Sequence, residues 1–179
     1  VGMVACAIDD NVQNHQLMLL HGAQGKGKST FIRHLLPPEL KDYYRNGMII
    51  PENNNHLLQL SSCLLINLDE FDTLSPERMQ NLKSLITQDV VNERKVYDIQ
   101  NYTYIRRASF IASTNNPHCM PDVKENRRIL FSTLLNIDYH TPVNHEGIYA
   151  QAYALYRQGF QYWYENEEIT FLNNRNEAF

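Results

Sequence analysis

The sequence predicts an α/β fold of three layers, in which helices cover both faces of a central, mostly parallel sheet of five strands. Two observations lead to this expectation. Short apolar runs typical of buried strands alternate along the 179 residues with stretches of helical periodicity. A glycine-rich loop at residues 22–29 lies between a strand-like run and a helix-like run. We expect a lead-in segment over residues 1–16, the α/β domain over residues 17–140 and a C-terminal helical segment over residues 141–179.

Five apolar runs are interpreted as the strands of the sheet, because each is short and rich in leucine, isoleucine or phenylalanine. In chain order they are residues 17–21, 57–60, 63–68, 110–114 and 129–135. A β-hairpin is expected over residues 90–108 as an insertion, since two strand-like segments flank the polar stretch 98–101.

Helices are expected where apolar residues recur every three or four positions. One is expected over residues 30–36, stopped by Pro37 and Pro38, and a short one over residues 39–45. Ser75 as N-cap, with proline next, predicts a helix over residues 76–87. Its expected apolar face consists of Met79, Leu82, Leu85 and Ile86. A long helix is expected over residues 144–165, with an apolar face of Ile148, Ala152, Leu155, Phe160 and Trp163.

Residues 22–29, GAQGKGKS, match the phosphate-binding P-loop pattern G-x-x-x-x-G-K-[ST] at every fixed position. Glycines let the backbone curl so that successive N–H groups face an anion, and the N-terminus of the following helix adds positive charge. Lys28 is expected to reach the β- and γ-phosphates of ATP, and the Ser29 hydroxyl to ligate Mg²⁺. A flexible glycine turn is the alternative, which the flanking patterns disfavour. The predicted nucleotide-binding residues are Gly22, Ala23, Gln24, Gly25, Lys26, Gly27, Lys28, Ser29 and Thr30.

Asp69 and Glu70 follow the apolar run of residues 63–68, which is the Walker B pattern. At the carboxyl end of that strand, Asp69 is expected beside Ser29, where it would hold Mg²⁺ or its waters. A second carboxylate can orient and deprotonate an attacking water, so Glu70 favours hydrolysis over phosphoryl transfer to a metabolite. The alternative is that the Asp-Glu pair only caps a turn.

Polar residues at the last two strands are further candidates. Asn115 follows the run 110–114 and is expected to contact the γ-phosphate and the lytic water, although an asparagine here can also begin a turn. Arg127 and Arg128 precede the last strand, and arginine neutralises charge on a transferring phosphoryl group, in some enzymes from a neighbouring subunit. A surface basic pair is the alternative, and the spacing does not choose between the two arginines.

Basic and aromatic residues are interleaved along the expected hairpin. Basic groups track phosphates and aromatic faces stack on bases, which predicts a DNA contact. The alternative is a solvated hairpin whose tyrosines pack on their own sheet. The candidates are Arg94, Lys95, Arg106 and Arg107, among Tyr97, Tyr102 and Tyr104.

Composition limits the partners, metal sites and cellular location that the sequence allows. The formal net charge is −4, so any contact with nucleic acid must come from a local patch. The three cysteines form no C-x-x-C pair, which indicates neither a zinc site nor a disulfide framework, and reduced thiols in the cytoplasm are the simplest account. No apolar run approaches the ~20 residues of a membrane helix, so no membrane contact is expected. Because the chain begins at Val1, we expect it to be a piece of a longer protein.

Taken together, the motifs resemble the virulence-associated protein E family, the ATPase domains of phage, plasmid and genomic-island primase–helicases. The resemblance covers residues 17–135 and rests on GAQGKGKST, LLINLDEFD, LKSLIT, ERKVY, RRASFIASTN and a D-x₄-RR run before a strand. The set is also similar to superfamily 3 helicases within the AAA+ group of ASCE-type P-loop NTPases. Such families usually carry Gly-Asn or Gly-Ser before the two arginines, whereas residues 122–128 contain no glycine.

The resemblance implies a sheet order of 5-1-4-3-2, with the strand that ends at Asn115 between those of the P-loop and Asp69. It implies that Asn115 is the sensor residue and that Arg127 and Arg128 are the arginine-finger pair. It also implies that the hairpin grips DNA inside the channel of a ring, such as a hexamer. An upstream primase-like domain would then lie outside this chain.

The expected function is Mg²⁺-dependent ATP hydrolysis that drives the unwinding or translocation of single-stranded or forked DNA. The chain would be the helicase module of a mobile-element or phage replication protein. The alternatives are a small-molecule or nucleotide kinase on the same core and a non-catalytic module that assembles on ATP. A GTPase is disfavoured because the sequence has no N-K-x-D motif.

Overall fold

The computed structural model describes residues 1–50, 53–69, 71–94, 100–117, 119 and 128–177. The helices are α1 (Gly2–Ile8), α2 (Lys28–Arg33), α3 (Asn54–Ser62), α4 (Pro76–Thr87), α5 (His145–Arg157) and α6 (Asn166–Glu177). The strands are β1 (Leu17–His21), β2 (Tyr44–Asn46), β3 (Leu65–Leu68), β4 (Val90–Glu93), β5 (Tyr102–Ile105), β6 (Ser109–Thr114) and β7 (Ile129–Thr133). Short 3₁₀ helices span Pro38–Tyr43 and Phe71–Thr73. None of the helices in these ranges is both long enough and apolar enough to cross a lipid bilayer.

Five parallel strands form the central sheet in the order β2-β3-β6-β1-β7. Counted along the chain, this is 2-3-4-1-5, which is the predicted 5-1-4-3-2 read from the opposite edge. β6 therefore lies between β1 and β3, and His21 pairs with Thr114 on one side and Thr133 on the other. Because parallel strands all end at the same edge, the residues that follow β1, β3 and β6 are brought together there. The predicted α/β fold is confirmed.

The hairpin and the helix over residues 76–87 also agree with the sequence patterns. β4 and β5 pair in antiparallel fashion, with Val91 beside Tyr104. In α4 the Ser75 hydroxyl accepts a hydrogen bond from the Arg78 amide at 3.3 Å, as an N-cap should. All four residues of the predicted apolar face are buried in the main core: Met79, Leu82, Leu85 and Ile86.

The predicted strand at residues 57–60 is wrong, because this segment lies within α3. The Asn53 side chain accepts hydrogen bonds from the amides of Asn55 and His56, so the asparagine run caps a helix rather than forming a loop. The predicted helix at residues 39–45 is also wrong in part. It is a 3₁₀ helix that ends at Tyr43, and the chain then forms the edge strand β2.

The predicted helix over residues 144–165 is too long, because only α5 (His145–Arg157) lies within it and α6 begins afterwards, at Asn166. α5 ends at Arg157, Gly159 has a left-handed φ of 75°, and its amide donates to the Tyr156 carbonyl at 3.0 Å. The Phe160 amide donates to the Leu155 carbonyl at 3.0 Å, which completes a Schellman motif. The predicted apolar face is not a core surface, since Ile148 is 53% exposed. The lead-in segment contains α1, whose Ala5 and Cys6 are fully buried; α1 packs against α5 and β6.

Matched isoleucine truncations test where the core lies. Ile66 in β3 is fully buried, so Ile66→Ala should lower the free energy of unfolding by about 2–5 kcal/mol. Ile148→Ala on α5 should change it little, because that side chain is largely exposed. Urea denaturation followed by circular dichroism measures both. Equal losses in the two variants would show that α5 does bury the predicted face.

Candidate nucleotide site

The glycine loop after β1 has the curled backbone that the motif predicts. Gly25 and Gly27 have φ values of 77° and 81°, a region that favours glycine, and α2 begins directly after Gly27. The Gly22 amide donates to the Thr114 carbonyl at 3.2 Å, which fixes the start of the loop on β6. A Cβ on Gly22 would lie 3.1 Å from the Leu134 carbonyl oxygen, so the loop is also enclosed on the side of β7.

The Lys28 ammonium group is the cationic centre of this loop. The side chain is only 7% exposed, and its Nζ donates to the carbonyls of Gly22 at 2.5 Å and Ala23 at 3.0 Å. Its third hydrogen bond, of 2.7 Å, goes to Oδ1 of Asn115. Burial lowers the pKa of Lys28, and the negative charges of Asp69 and Asp72 oppose that shift. A phosphate oxygen that binds Nζ would replace one of these three acceptors.

Asp69 lies opposite Lys28 at the end of β3. Both of its carboxylate oxygens are 3.5 Å from the Ser29 hydroxyl, and its Oδ1 accepts a 2.9 Å hydrogen bond from the Ser113 hydroxyl. Leu68 pairs with Ala112 in the sheet, so the next residue of each strand lies beside the other. No sequence pattern indicated Ser113, because its contact with Asp69 depends on this register.

The Ser29 and Asp69 oxygens fit Mg²⁺. They are hard oxygen donors, and Mg²⁺ in NTP sites is held by one or two such protein groups together with phosphate oxygens and water. Their separation of 3.5 Å leaves room for a cation that both could ligate. Ser29 and Asp69 are therefore the residues that would hold the metal.

These side chains face a cleft of about 410 Å³. Its walls are residues 24–30 together with Asp69, Asp72, Ser113, Thr114, Asn115 and Tyr139. Tyr139 reaches the loop from the segment after β7, 112 residues away from Gly27, and no local sequence signal marked it. Asp72 was also missed, although it lies only three residues beyond the Walker B aspartate.

Of the predicted arginine-finger pair, Arg128 does not reach the cleft of its own chain. Arg128 precedes β7, and its carbonyl accepts from the Leu17 amide at 2.8 Å, at the start of β1. The five residues of β1, at ~3.3 Å each, put roughly 16 Å between this position and the glycine loop. Glu70 and Arg127 lie outside the described residues.

The structure contradicts the predicted DNA contact of Arg106. Its side chain is fully buried, and its three nitrogens donate to backbone carbonyls of Gln88 at 2.7 Å, Ala108 at 2.7 Å and Asn14 at 2.9 Å. A guanidinium group committed to three backbone carbonyls anchors the base of the hairpin rather than binding phosphate.

The other basic residues of the hairpin differ in their surroundings. Arg107 forms an ion pair with Asp10 and donates to the Cys6 carbonyl at 3.3 Å, so it holds the hairpin base to the N-terminal segment. Arg94 is exposed just beyond β4. Lys95 lies outside the described residues.

The site combines a glycine loop, a buried lysine and a strand-end aspartate on a parallel sheet. The virulence-associated protein E-like domain matches the chain over residues 1–179, its whole length. The chain belongs to this family. Membership implies that this VapE-like domain is a P-loop NTPase, in agreement with the geometry around Lys28. No curated protein matches the chain significantly.

Three solved apo structures of the NrS-1 C-terminal region are similar to the VapE-like domain over 99% of its length. Their TM-scores are 0.53, 0.52 and 0.54, at sequence identities of 16%, 18% and 16%. At these identities the likeness supports the fold alone. The chain covers 37%, 38% and 39% of those chains, so it spans less than two fifths of their length.

Matched arginine substitutions test whether Arg106 anchors the base of the hairpin. Arg106→Ala would leave three carbonyls without their donor and remove a fully buried side chain, which should cost roughly 3–5 kcal/mol in the free energy of unfolding. Arg94→Ala should leave stability unchanged, because Arg94 is exposed. Thermal unfolding of the two variants distinguishes the roles. A stable Arg106→Ala variant with weakened DNA binding would restore the original interpretation.

Proposed function

We propose that the VapE-like domain hydrolyses ATP with Mg²⁺ and uses the energy to move along or unwind DNA, as the helicase module of a mobile-element or phage replication protein. The observation that carries this proposal is the convergence of Lys28, Ser29, Asp69 and Asn115 at one edge of the sheet. Lys28 offers a cation and Asn115 an amide to the phosphate oxygens. Ser29 and Asp69 offer two oxygen ligands to the metal that would accompany them.

The phosphate chain would lie along the glycine loop, with its terminal group between Lys28 and Asn115. Lys28 would bind the β- and γ-phosphate oxygens, and the backbone N–H groups of the loop would donate hydrogen bonds to the other phosphate oxygens. When bound, Mg²⁺ would neutralise charge on those oxygens. Glu70, the residue after Asp69, would orient the attacking water and accept its proton, which favours hydrolysis over the kinase alternative.

A second copy of the chain would complete the site. Arg128 lies at the amino edge of the sheet, too far from the cleft of its own chain for its side chain to act there. A trans-acting arginine requires self-association with the nucleotide at the subunit boundary, as a ring provides. We therefore propose that Arg128 or Arg127 of one subunit acts on the nucleotide of its neighbour.

The hairpin is connected through β6 to Asn115, the residue proposed to sense the γ-phosphate. β6 begins next to the buried anchor Arg106 and ends at Thr114, directly before Asn115. All six of its residues are buried, so the strand is a stiff link between the hairpin and the cleft. Movement of Asn115 after hydrolysis would be passed to the hairpin, where Arg94, Lys95 and the exposed Tyr102 are the proposed DNA contacts.

Two substitutions separate nucleotide binding from turnover. Glu70→Gln should keep ATP affinity and abolish phosphate release, since only the base is removed. Lys28→Ala should lose ATP affinity, because its ammonium group is the main cation in the cleft. Calorimetric titration and phosphate release, with and without single-stranded DNA, provide the measurements.

Lys83→Ala on α4, away from the cleft, is the control and should behave as wild type. Unchanged turnover in Glu70→Gln would remove Glu70 from the mechanism. Phosphate transfer to an added nucleoside, in place of DNA-stimulated release, would favour the kinase alternative.

A mixing experiment tests the action of Arg128 across a subunit boundary. Arg128→Ala keeps its own phosphate cleft and lacks the finger, whereas Lys28→Ala has the opposite defect. Each variant alone should be inactive. An equal mixture should regain part of the ATPase activity, at those boundaries where the cleft of an Arg128→Ala subunit meets the Arg128 of a Lys28→Ala subunit. Full activity of Arg128→Ala alone would exclude Arg128, and an inactive mixture that still assembles would contradict action between subunits.

A further inference from the structure

Tyr139 lies directly on the glycine loop. A Cβ built on Gly27 would be 2.2 Å from Cδ1 of Tyr139, so the ring packs against the Gly27 backbone. Tyr139 lines the phosphate cleft and also a second cleft of about 430 Å³. This second cleft is formed by the end of α2, the 3₁₀ helix Pro38–Tyr43 and the segment after β7, and its lining includes Arg33, Lys41 and His140. Its volume is within the range of small-ligand sites.

The sheet order determines which end of a bound triphosphate faces Tyr139. Asp69 and Asn115 follow β3 and β6, which lie on one side of β1. The segment that carries Tyr139 follows β7, on the other side of β1. If the terminal phosphate lies between Lys28 and Asn115, the α-phosphate and the nucleoside extend towards Tyr139 and the second cleft.

The walls of the second cleft are held by specific hydrogen bonds. The Asp138 carboxylate accepts from the amides of His140 and Thr141, each at 3.0 Å, and from the Thr141 hydroxyl at 2.6 Å. Nε2 of His145 donates to the His34 carbonyl at 2.7 Å, which ties the start of α5 to the end of α2. Loop and helix are thus fixed around the second cleft, which shares Tyr139 with the phosphate cleft.

We propose that this second cleft holds the base and ribose of the nucleotide and that Tyr139 stacks on the base. The inference rests on the proposed function, because it takes the phosphate cleft as the triphosphate site. The Tyr139 ring lines both clefts, and every nucleobase has a flat face to stack on it. Arg33 and Lys41 supply donors for the ribose oxygens and the ring nitrogens of the base.

Comparison of two ligands tests the assignment: Mg·ATP, which has a base, and Mg·tripolyphosphate, which has none. Tyr139→Ala should weaken ATP binding about tenfold or more beyond any change in tripolyphosphate binding. Tyr139→Phe should bind ATP as wild type does, because it keeps the ring. Tyr153→Ala, on the exposed side of α5 and outside both clefts, is the matched control.

Equal weakening of both ligands would show that Tyr139 only shapes the glycine loop, and no change in either would exclude it from the site. If wild-type protein binds tripolyphosphate and ATP equally well, the base has no site and the inference fails while the phosphate site stands. If neither ligand binds, the proposed function fails and the inference with it.

Photolabelling of wild-type protein with 8-azido-ATP gives a second test that does not depend on the folding of a variant. The label should be found on residues 139–145 or on the end of α2. A label confined to other segments, and competed by ATP, would overturn the proposal.

Discussion

The position of the Lys28 ammonium group depends on the parallel order of the sheet. Its three acceptors come from the glycine loop and from Asn115, 87 residues further along the chain. Asp69 joins them from a third segment through Ser29 and Ser113. The three segments are far apart in sequence, and they meet because β6 lies between β1 and β3 with all three strands ending at one edge. A different strand order would leave a glycine loop without an acid opposite it.

The same sheet holds the cleft at one edge and the proposed finger and hairpin at the other. The nucleotide cleft is at the carboxyl edge, whereas Arg128 and the base of the hairpin are at the amino edge. The buried strand β6 runs between the two edges, and the Arg106 side chain fastens the segment before it to two other segments, at Gln88 and Asn14. Each subunit would therefore present its cleft on one side and its finger and DNA contacts towards the other. This polarity suits a ring of identical copies.

Sequence patterns predicted the elements whose signal is local. The glycine loop, the Walker B strand and the apolar face of α4 each carry their evidence within a dozen residues. β2 was missed because a three-residue edge strand has no measurable periodicity, and α3 was mistaken for a strand because its asparagine cap resembles a loop. Ser113 reaches Asp69 because of the strand register, and Tyr139 reaches the glycine loop because the chain returns to it after β7. A pattern read along the sequence contains neither relationship. Arg106 stands in a basic run but is a buried anchor. Only its surroundings in the fold distinguish it from an exposed basic residue.

A crystal structure of the VapE-like domain with a non-hydrolysable ATP analogue and Mn²⁺ in place of Mg²⁺ would test the central claim most directly. Mn²⁺ gives an anomalous signal that locates the metal independently of the nucleotide. The account predicts this signal within coordination distance of the Ser29 hydroxyl and the Asp69 carboxylate, with the terminal phosphate in contact with Lys28 and Asn115. A nucleotide bound at another surface, with Lys28 still bonded only to the Gly22 and Ala23 carbonyls and to Asn115, would contradict it.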